Sequence, residues 1–465
     1  MQEKGLIMVQ DNAGAYAAKG TLEDLIKSMS KRFGMRCIVI AVDGTAREGQ
    51  GGIEDEENTN VYRTKICVEN NQDPELDSLY LPGVGTTGWS GKRLVDKITG
   101  HGTDRQIRKA YEFICEKYTH PDDKIYLIGY SRGAFAIRCV ADLVFKIGIL
   151  SHDDCRSERM NDVFRRWKSG KMNPLTGLNL APVSNNRVNV CVLWDTVGSV
   201  NGPLCRVVDS DVRGADFNFH ALALHERRQH YLPTVMRFLA PLPLPLTTAE
   251  QCWFNGYHGD IGGGRKKNAL GNLALAWALA KLDDDLHPNW DALEVADNNN
   301  LQYNWAVDGE ELYLDVRDTA KGIFRILPFR DRYPKLQFWN SNTHSTLPVN
   351  QETYTLNSQE TIHSTVRYLS RYMRREPKVF ESANRTEPPG VRWMLYGTDW
   401  FHVREAPVSW KGNTELRRWV EKNRRELNGN SRLGQSALRN VIIAELLAYL
   451  EDMQLQALIG GAVEA

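Results

Sequence analysis

The chain has 465 residues, room for one large domain or two ordinary ones, and its 58 basic and 58 acidic side chains cancel. With 42% hydrophobic and 25% charged residues it has the composition of a globular protein, and zero net charge removes the bulk attraction that would favour DNA or RNA as a partner. No stretch approaches the roughly 18 consecutive apolar residues of a membrane-spanning helix. The start, MQEKGLIMVQDNAGAYAAKG, carries only a short apolar run, too little for a Sec signal. An intracellular, cytoplasmic protein is therefore expected, with no nucleic-acid partner and no transmembrane segment; transient contact with a membrane surface remains compatible. The eight cysteines, Cys37, Cys67, Cys115, Cys139, Cys155, Cys191, Cys205 and Cys252, are widely spaced without a CxxC pair. They read as reduced, buried thiols, and no Cys/His pair has zinc-ligand spacing.

Short apolar runs alternate with helical patterns. Residues 35–42 (MRCIVIAV) form a β-branched run suited to a strand buried on both faces. Residues 60–69 read as a short helix capped by Thr59 or Asn60, and 78–81 open a second strand that ends in PGVGT. In 103–118, Ile107, Ala110, Tyr111 and Ile114 share one helical stripe. A third strand at 124–129 leads into an apolar helix at 135–145; fourth and fifth strands follow at 187–194 and 250–255, and a further helix at 272–282. This alternation predicts an α/β fold with a doubly wound, mostly parallel sheet. Residues 203–248, ending in PLPLPLTT, and the polar stretch 283–355 interrupt the rhythm and read as insertions capping one end of the sheet. The expected organisation is an N-terminal extension over 1–34, a catalytic domain over 35–385, and a mainly helical C-terminal subdomain over 386–465.

The stretch IYLIGYSRGAFAIR contains Gly129-Tyr130-Ser131-Arg132-Gly133, a G-x-S-x-G pattern placed after a strand and before a helix. In that setting the serine is pushed out at the carboxyl end of the sheet, and the Arg132 N–H at the helix start can face a developing oxyanion. A serine hydroxyl needs a base, usually a histidine oriented by a carboxylate, and the chain order in such folds is Ser, then Asp or Glu, then His. Two aspartates end apolar strands: Asp260 in WFNGYHGDIGGG, which follows the later of the two expected strands beyond the serine, and Asp195 in LWDTVGSV. Asp260 is the preferred acid; Asp195 is the alternative acid or a pocket residue. Downstream of Asp260 stand His287, His344, His363 and His402. His363, placed at a helix start after a short strand, is the preferred base. His258 precedes Asp260 and reads as lining the pocket. In HALALHERRQHYL, Leu222, Leu224 and Tyr231 suit either core packing or an acyl chain, and Arg227 and Arg228 are weak candidates for binding a phosphate or carboxylate.

Several stretches in order, AVDGT (41–45), TNV (59–61), PGVGT (82–86), GYSRGAFAIR (129–138), LWDTVGSV (193–200), HALALHERRQHYLPT (220–234), WFNGYHGDIGGG (253–264) and IHSTVR (362–367), resemble one family. It is the α/β-hydrolase family containing the catalytic domain of type VI secretion phospholipase effectors of the first lipase class. The resemblance implies an α/β-hydrolase fold and a serine hydrolase of carboxylic esters, including phospholipid or other lipid acyl esters, needing no cofactor and no metal. Carried over residue by residue, it makes Ser131 the nucleophile, Asp260 the acid and His363 the base. Gly44 or Thr45, in the DGT turn, would then supply the second oxyanion N–H beside Arg132. HERR departs from the expected DERR at His225. Two other functions compete: a metal-dependent hydrolase built on Asp43, Asp195, His258 and Asp260, and a catalytically inactive binding protein on a hydrolase fold.

Overall fold

The computed structural model describes residues 35–44, 58–69, 73–83, 102–170, 178–181, 186–198, 214–236, 247–264, 268–288 and 329–335, together with short segments at 8–9, 16–17, 305–308, 311–314, 339–340, 345–346, 358–363, 365–366, 381–383, 392–394 and 402–406. Its centre is a sheet of ten strands: β1 (Cys37–Val42), β2 (Leu76–Leu81), β3 (Lys124–Tyr130), β4 (Val188–Trp194), β5 (Ala215–Ala223), β6 (Thr248–Phe254), β7 (Glu360–His363), β8 (Glu381–Ala383), β9 (Arg392–Met394) and β10 (His402–Ala406). They lie side by side in the order β8-β9-β10-β7-β6-β5-β4-β3-β1-β2. The eight from β10 to β2 are all parallel; β8 and β9 complete one edge as antiparallel strands. This is the expected α/β-hydrolase-like sheet, with β3 third from the edge that β2 forms.

Helices cover both faces, which is why the central strands are apolar throughout rather than alternating. Val39, Ala41, Tyr126, Ile128, Val190 and Val192 face α1 (Asn60–Glu69) and the later Ala269–Leu286 helix. Ile38, Ile40, Ile125, Leu127, Cys191 and Leu193 face the other way, towards α2 (Gly102–Lys117), α3 (Arg132–Ile147), α4 (His152–Arg156) and α5 (Arg159–Ser169). Because α3 lies under α2 and α5, thirteen of its sixteen residues are buried, as its nearly uniform apolar sequence requires. Two further α-helices among the described residues are α6 (His258–Ile261) and α7 (Ala269–Leu286).

The segment expected as an insertion at 203–248 contributes β5, a central strand. Its sequence, ADFNFHALA, hid it behind Asp216, Asn218 and His220. The structure buries Asn218 and His220 by pairing them: Asn218 Nδ2 donates to the Thr248 carbonyl at 3.3 Å, and the His220 ring accepts from the Thr196 N–H at 3.0 Å and meets Gln251 at 3.2 Å. Leu222 and Leu224 are core, packed with Trp253, Ile362 and Val403. The sheet also crosses the domain boundary expected at 385, since β8 pairs with β9. The expected C-terminal helical run lies outside the described residues. Among the described residues no helix is long and apolar enough to cross a membrane, and the seven described cysteines form no disulfide.

Candidate active site

Ser131 stands between β3 and α3 with φ 57° and ψ −121°, in the positive-φ half of backbone space that non-glycine residues rarely adopt. Such a conformation costs on the order of 1–3 kcal/mol and persists only where the surroundings over-determine it. Here they do. The Ser131 N–H donates to the Trp194 carbonyl at 2.9 Å, and the Ser131 carbonyl accepts from Phe135 and Val197 at 3.2 and 3.3 Å. The flanking glycines let strand and helix close on this bend: a Cβ at Gly129 would lie 2.7 Å from Ala134 Cα, and one at Gly133 would lie 2.2 Å from the Val42 carbonyl oxygen.

The strained turn points Ser131 Oγ at His258 Nε2, 2.8 Å away, and His258 Nδ1 lies 2.6 Å from Asp195 Oδ2. All three residues are buried. Asp195 follows β4, the immediate neighbour of β3, and takes φ 42° itself. His258 opens α6 directly after β6 and is flanked by the rings of Tyr130 and Tyr231, each centred 4.9 Å from the imidazole. Tyr130 Oη donates to the His258 carbonyl at 3.1 Å. The TNV segment holds α6 from behind. Asn60 Nδ2 donates to the carbonyls of Ile261 and Gly271 at 2.9 and 2.8 Å, and the Asn60 N–H reaches the Gly262 carbonyl at 2.9 Å. Gly262 is pressed so closely on Tyr130 that a Cβ would come within 2.1 Å of its ring.

Asp195 is tied on every side. Its Oδ1 accepts from the Ala223 N–H at 3.1 Å and from Arg332 Nη1 at 2.6 Å, while Oδ2 accepts from Arg332 Nη2 at 3.0 Å. Burial pushes the carboxyl up, but Arg332 and then His258 outweigh it and hold it well below the usual carboxylate range. Burial also lowers the His258 imidazole below its ordinary value, against the pull of Asp195 and Glu226, so the resting ring is neutral near pH 7. Glu226 is buried beneath them, paired through both oxygens with Arg228 at 2.9 and 2.8 Å and held at about 2, burial opposing and Arg228 prevailing. A neutral imidazole between a serine hydroxyl and a fixed carboxylate is an arrangement for activating a nucleophile.

The model of the type VI secretion phospholipase effector Tle1-like catalytic domain matches residues 36–281. The chain belongs to the Tle1-like family. An uncharacterized protein from Saccharomyces cerevisiae is 32% identical over 170 residues, which is 33% of this chain and 24% of the yeast protein. Among solved structures, an uncharacterized protein from Pseudomonas aeruginosa aligns at 16% identity over 57% of this chain and 48% of its own, with a TM-score of 0.34. The Tle1 effector bound to the VgrG spike of the type VI secretion system aligns at 18% identity over 57% and 58%, with a TM-score of 0.29. The chain spans less than two thirds of each of these three proteins.

The residues expected to complete the site fall elsewhere in this Tle1-like chain. His363 is the last residue of β7; its Nδ1 lies 2.8 Å from Thr365 Oγ1 and its ring stacks on Phe254 at 4.5 Å. Asp260 turns back on its own helix, its carboxylate accepting the N–H of Tyr257, the N-cap of α6, at 2.8 Å as the third-position member of a capping box. It thus shapes the helix that carries His258 rather than holding the ring. The Gly44 N–H donates to Asp43 Oδ1 at 2.7 Å, which engages it away from any oxyanion; Thr45 lies outside the described residues. Arg132 begins α3, where the first N–H groups have no partner inside the helix, and burial draws its guanidinium down to about 10. Arg227 pairs with Asp331 at 3.0 Å, and Arg228 is committed to Glu226, so both bind within the protein. His225 accepts the Gly256 N–H at 3.0 Å. Of the proposed metal ligands, Asp43 accepts from Thr59 at 2.6 Å and Tyr80 at 2.8 Å, and among the described residues no three His, Cys, Asp or Glu side chains are grouped to hold a metal.

Proposed function

We propose that this chain is a serine ester hydrolase acting on lipid acyl esters, phospholipids foremost, with Ser131 as nucleophile, His258 as general base and acid, and Asp195 as the orienting carboxylate. The observation that carries this reading is the unbroken run from Asp195 through His258 to Ser131 at 2.6 and 2.8 Å, on a strained strand-to-helix turn. Membership of a family named for phospholipase effectors supports the lipid substrate class.

In this mechanism Ser131 Oγ attacks the acyl carbonyl carbon as its proton passes to His258 Nε2. Asp195 holds Nδ1–H and stabilises the imidazolium that forms. The oxyanion is received by the Arg132 N–H at the start of α3 and by the turn after β1, where Thr45 is the candidate because Gly44 is engaged by Asp43. The His258 imidazolium then gives its proton to the departing alcohol, leaving an acyl ester on Ser131. Water, deprotonated by the same nitrogen, attacks that ester and releases the fatty acid, and Ser131 regains its proton.

The test is covalent labelling. A fluorophosphonate should modify the wild-type chain on Ser131 and abolish hydrolysis of a dispersed phospholipid and of a short p-nitrophenyl ester, with Ser131→Ala unlabelled and inactive. Labelling that survives Ser131→Ala, or hydrolysis that does, overturns the assignment.

A further inference from the structure

We propose that Arg332 is a positioning residue for the hydrolytic site, delivered by a strap at 329–335 to lock the Asp195 carboxylate and offset its charge so that His258 stays an effective base. This deepens the hydrolase reading above and rests on it.

Asp195 is fully buried beside a neutral imidazole, so its negative charge needs a partner that is buried with it. Arg332 supplies one. Its side chain is 0% exposed, and its planar fork takes both oxygens of the carboxylate at 2.6 and 3.0 Å. The same fork is anchored independently: Nη1 donates to the Ala223 carbonyl at 2.8 Å, and Nη2 donates to the Tyr231 carbonyl. The guanidinium therefore ties the end of β5 and the turn before Leu232 to the carboxylate that orients His258.

The strap that brings Arg332 here is itself docked on Arg227 and Arg228. Phe329 bridges Arg228, the Arg330 N–H donates to the Arg227 carbonyl at 2.7 Å, and Asp331 accepts from Arg227 Nε at 3.0 Å. The Lys335 N–H closes the strap on Glu360 at 2.6 Å. Arg227 and Arg228, which the sequence offered as substrate ligands, thus help to seat Arg332.

Among the described residues, the charged and titratable groups facing His258 are Asp195 just after β4, Tyr130 and Ser131 at the end of β3 and just beyond it, and Glu226, Arg228 and Tyr231 from the segment after β5; Arg332 acts through Asp195. Glu226 and Arg228 form a pair of their own. Arg332 is the cation bonded directly to Asp195, so its removal should leave the Asp195–His258 unit binding a proton more tightly.

Arg332→Gln and Arg332→Lys in the full chain, assayed with a soluble p-nitrophenyl ester across pH, test this. Gln should lower kcat by about 10- to 100-fold and move the acid limb of kcat/KM up by about one pH unit, with KM changed less than about threefold. Lys keeps a charge but not the fork; it should hold the acid limb near its wild-type position and restore part of kcat. A Gln variant with the wild-type acid limb overturns the proposal. If Gln does not fold, Lys decides: wild-type kcat in Lys shows that the fork positions nothing. Fluorophosphonate labelling of wild-type Ser131 separates the two claims. An unlabelled wild type removes the hydrolase reading and this proposal with it, whereas a labelled wild type with an unshifted Gln variant removes only Arg332.

Discussion

Two aspartate–histidine sets stand at the carboxyl edge of the same sheet, and only one is joined to the serine. Asp195 and His258 meet Ser131 in a continuous hydrogen-bonded run, while Asp260 caps α6 and His363 stacks on Phe254. Burial does not distinguish them, since all four are buried. Distance across the sheet does. Asp195 follows the strand adjacent to β3, whereas β7, which ends in His363, is four places away in the strand order, roughly 19 Å at the usual strand spacing. His258 covers a comparable gap because it leaves its strand: the Gly256–Tyr257 turn lets α6 fold back until the His258 carbonyl reaches Tyr130. A histidine that remains a strand residue has no such reach. A strand-end location is therefore a weak guide to catalytic partnership unless the order of strands is known.

The sharpest way to break this comparison is to remove each histidine. Ser131→Ala and His258→Ala should each lower kcat by on the order of 10³-fold or more, and the double variant little further, because the members of a triad act as a unit. His363→Ala should keep kcat within about threefold and lose instead about 1–3 kcal/mol of stability from the space opened beside Phe254. Steady-state kinetics with parallel denaturant titrations separate the two, and an inactive, well-folded His363→Ala would reverse them.

The aspartates give the next contrast. Asp195→Asn should reduce kcat by on the order of 10³- to 10⁴-fold, since an amide neither stabilises the imidazolium nor fixes its tautomer. Asp260→Asn should reduce it less than about tenfold, because an amide oxygen at the third position of α6 can still accept the Tyr257 N–H. Equal losses in the pair would erase the distinction between orienting the ring and shaping its helix. A smaller effect is expected of Tyr130→Phe, which removes only the hydroxyl bonded to the His258 backbone: a loss of about two- to fivefold in kcat with KM unchanged, readable in the same assay.

The smallest effect concerns pH and stability. Burial lowers His220 to about 3, and it lowers His258 as well, whereas unfolded histidines titrate near about 6.5. A depressed folded value means stability is complete above about 6.5 and falls as pH drops, because the unfolded chain takes up protons that the folded chain refuses. The His220 contribution should keep declining towards about 3. Urea midpoints at pH 7.5 and 5.5 should differ in that direction, and His220→Gln should make the decline shallower; a midpoint that rises on acidification would contradict it.

The strand–serine–helix turn, the parallel sheet and the helices around it were legible because each rests on local pattern: a β-branched run, a 3.6-residue stripe, glycines around one serine. The three side chains that meet, Ser131, Asp195 and His258, stand in the expected Ser, Asp, His order along the chain. The individual residues were displaced by one missed strand. With β5 hidden by its paired polar side chains, Asp260 seemed to follow the second strand beyond the nucleophile when it follows the third, and that choice excluded the histidine two residues before it. Arg332 had no local signal at all. It lies in a polar stretch 137 residues beyond Asp195, and the packing of the 329–335 strap on Arg227 and Arg228 brings it to the site.

That separation sets a schedule. Ser131, Asp195 and His258 can converge as soon as β3, β4, β5 and β6 have assembled, but the buried carboxylate is left without its counter-charge until the chain beyond residue 332 has emerged and docked. Loop closure over such a span makes the contact one of the slower ones to form. During synthesis, competence should therefore arrive after β3, β4, β5 and β6 have assembled rather than with them.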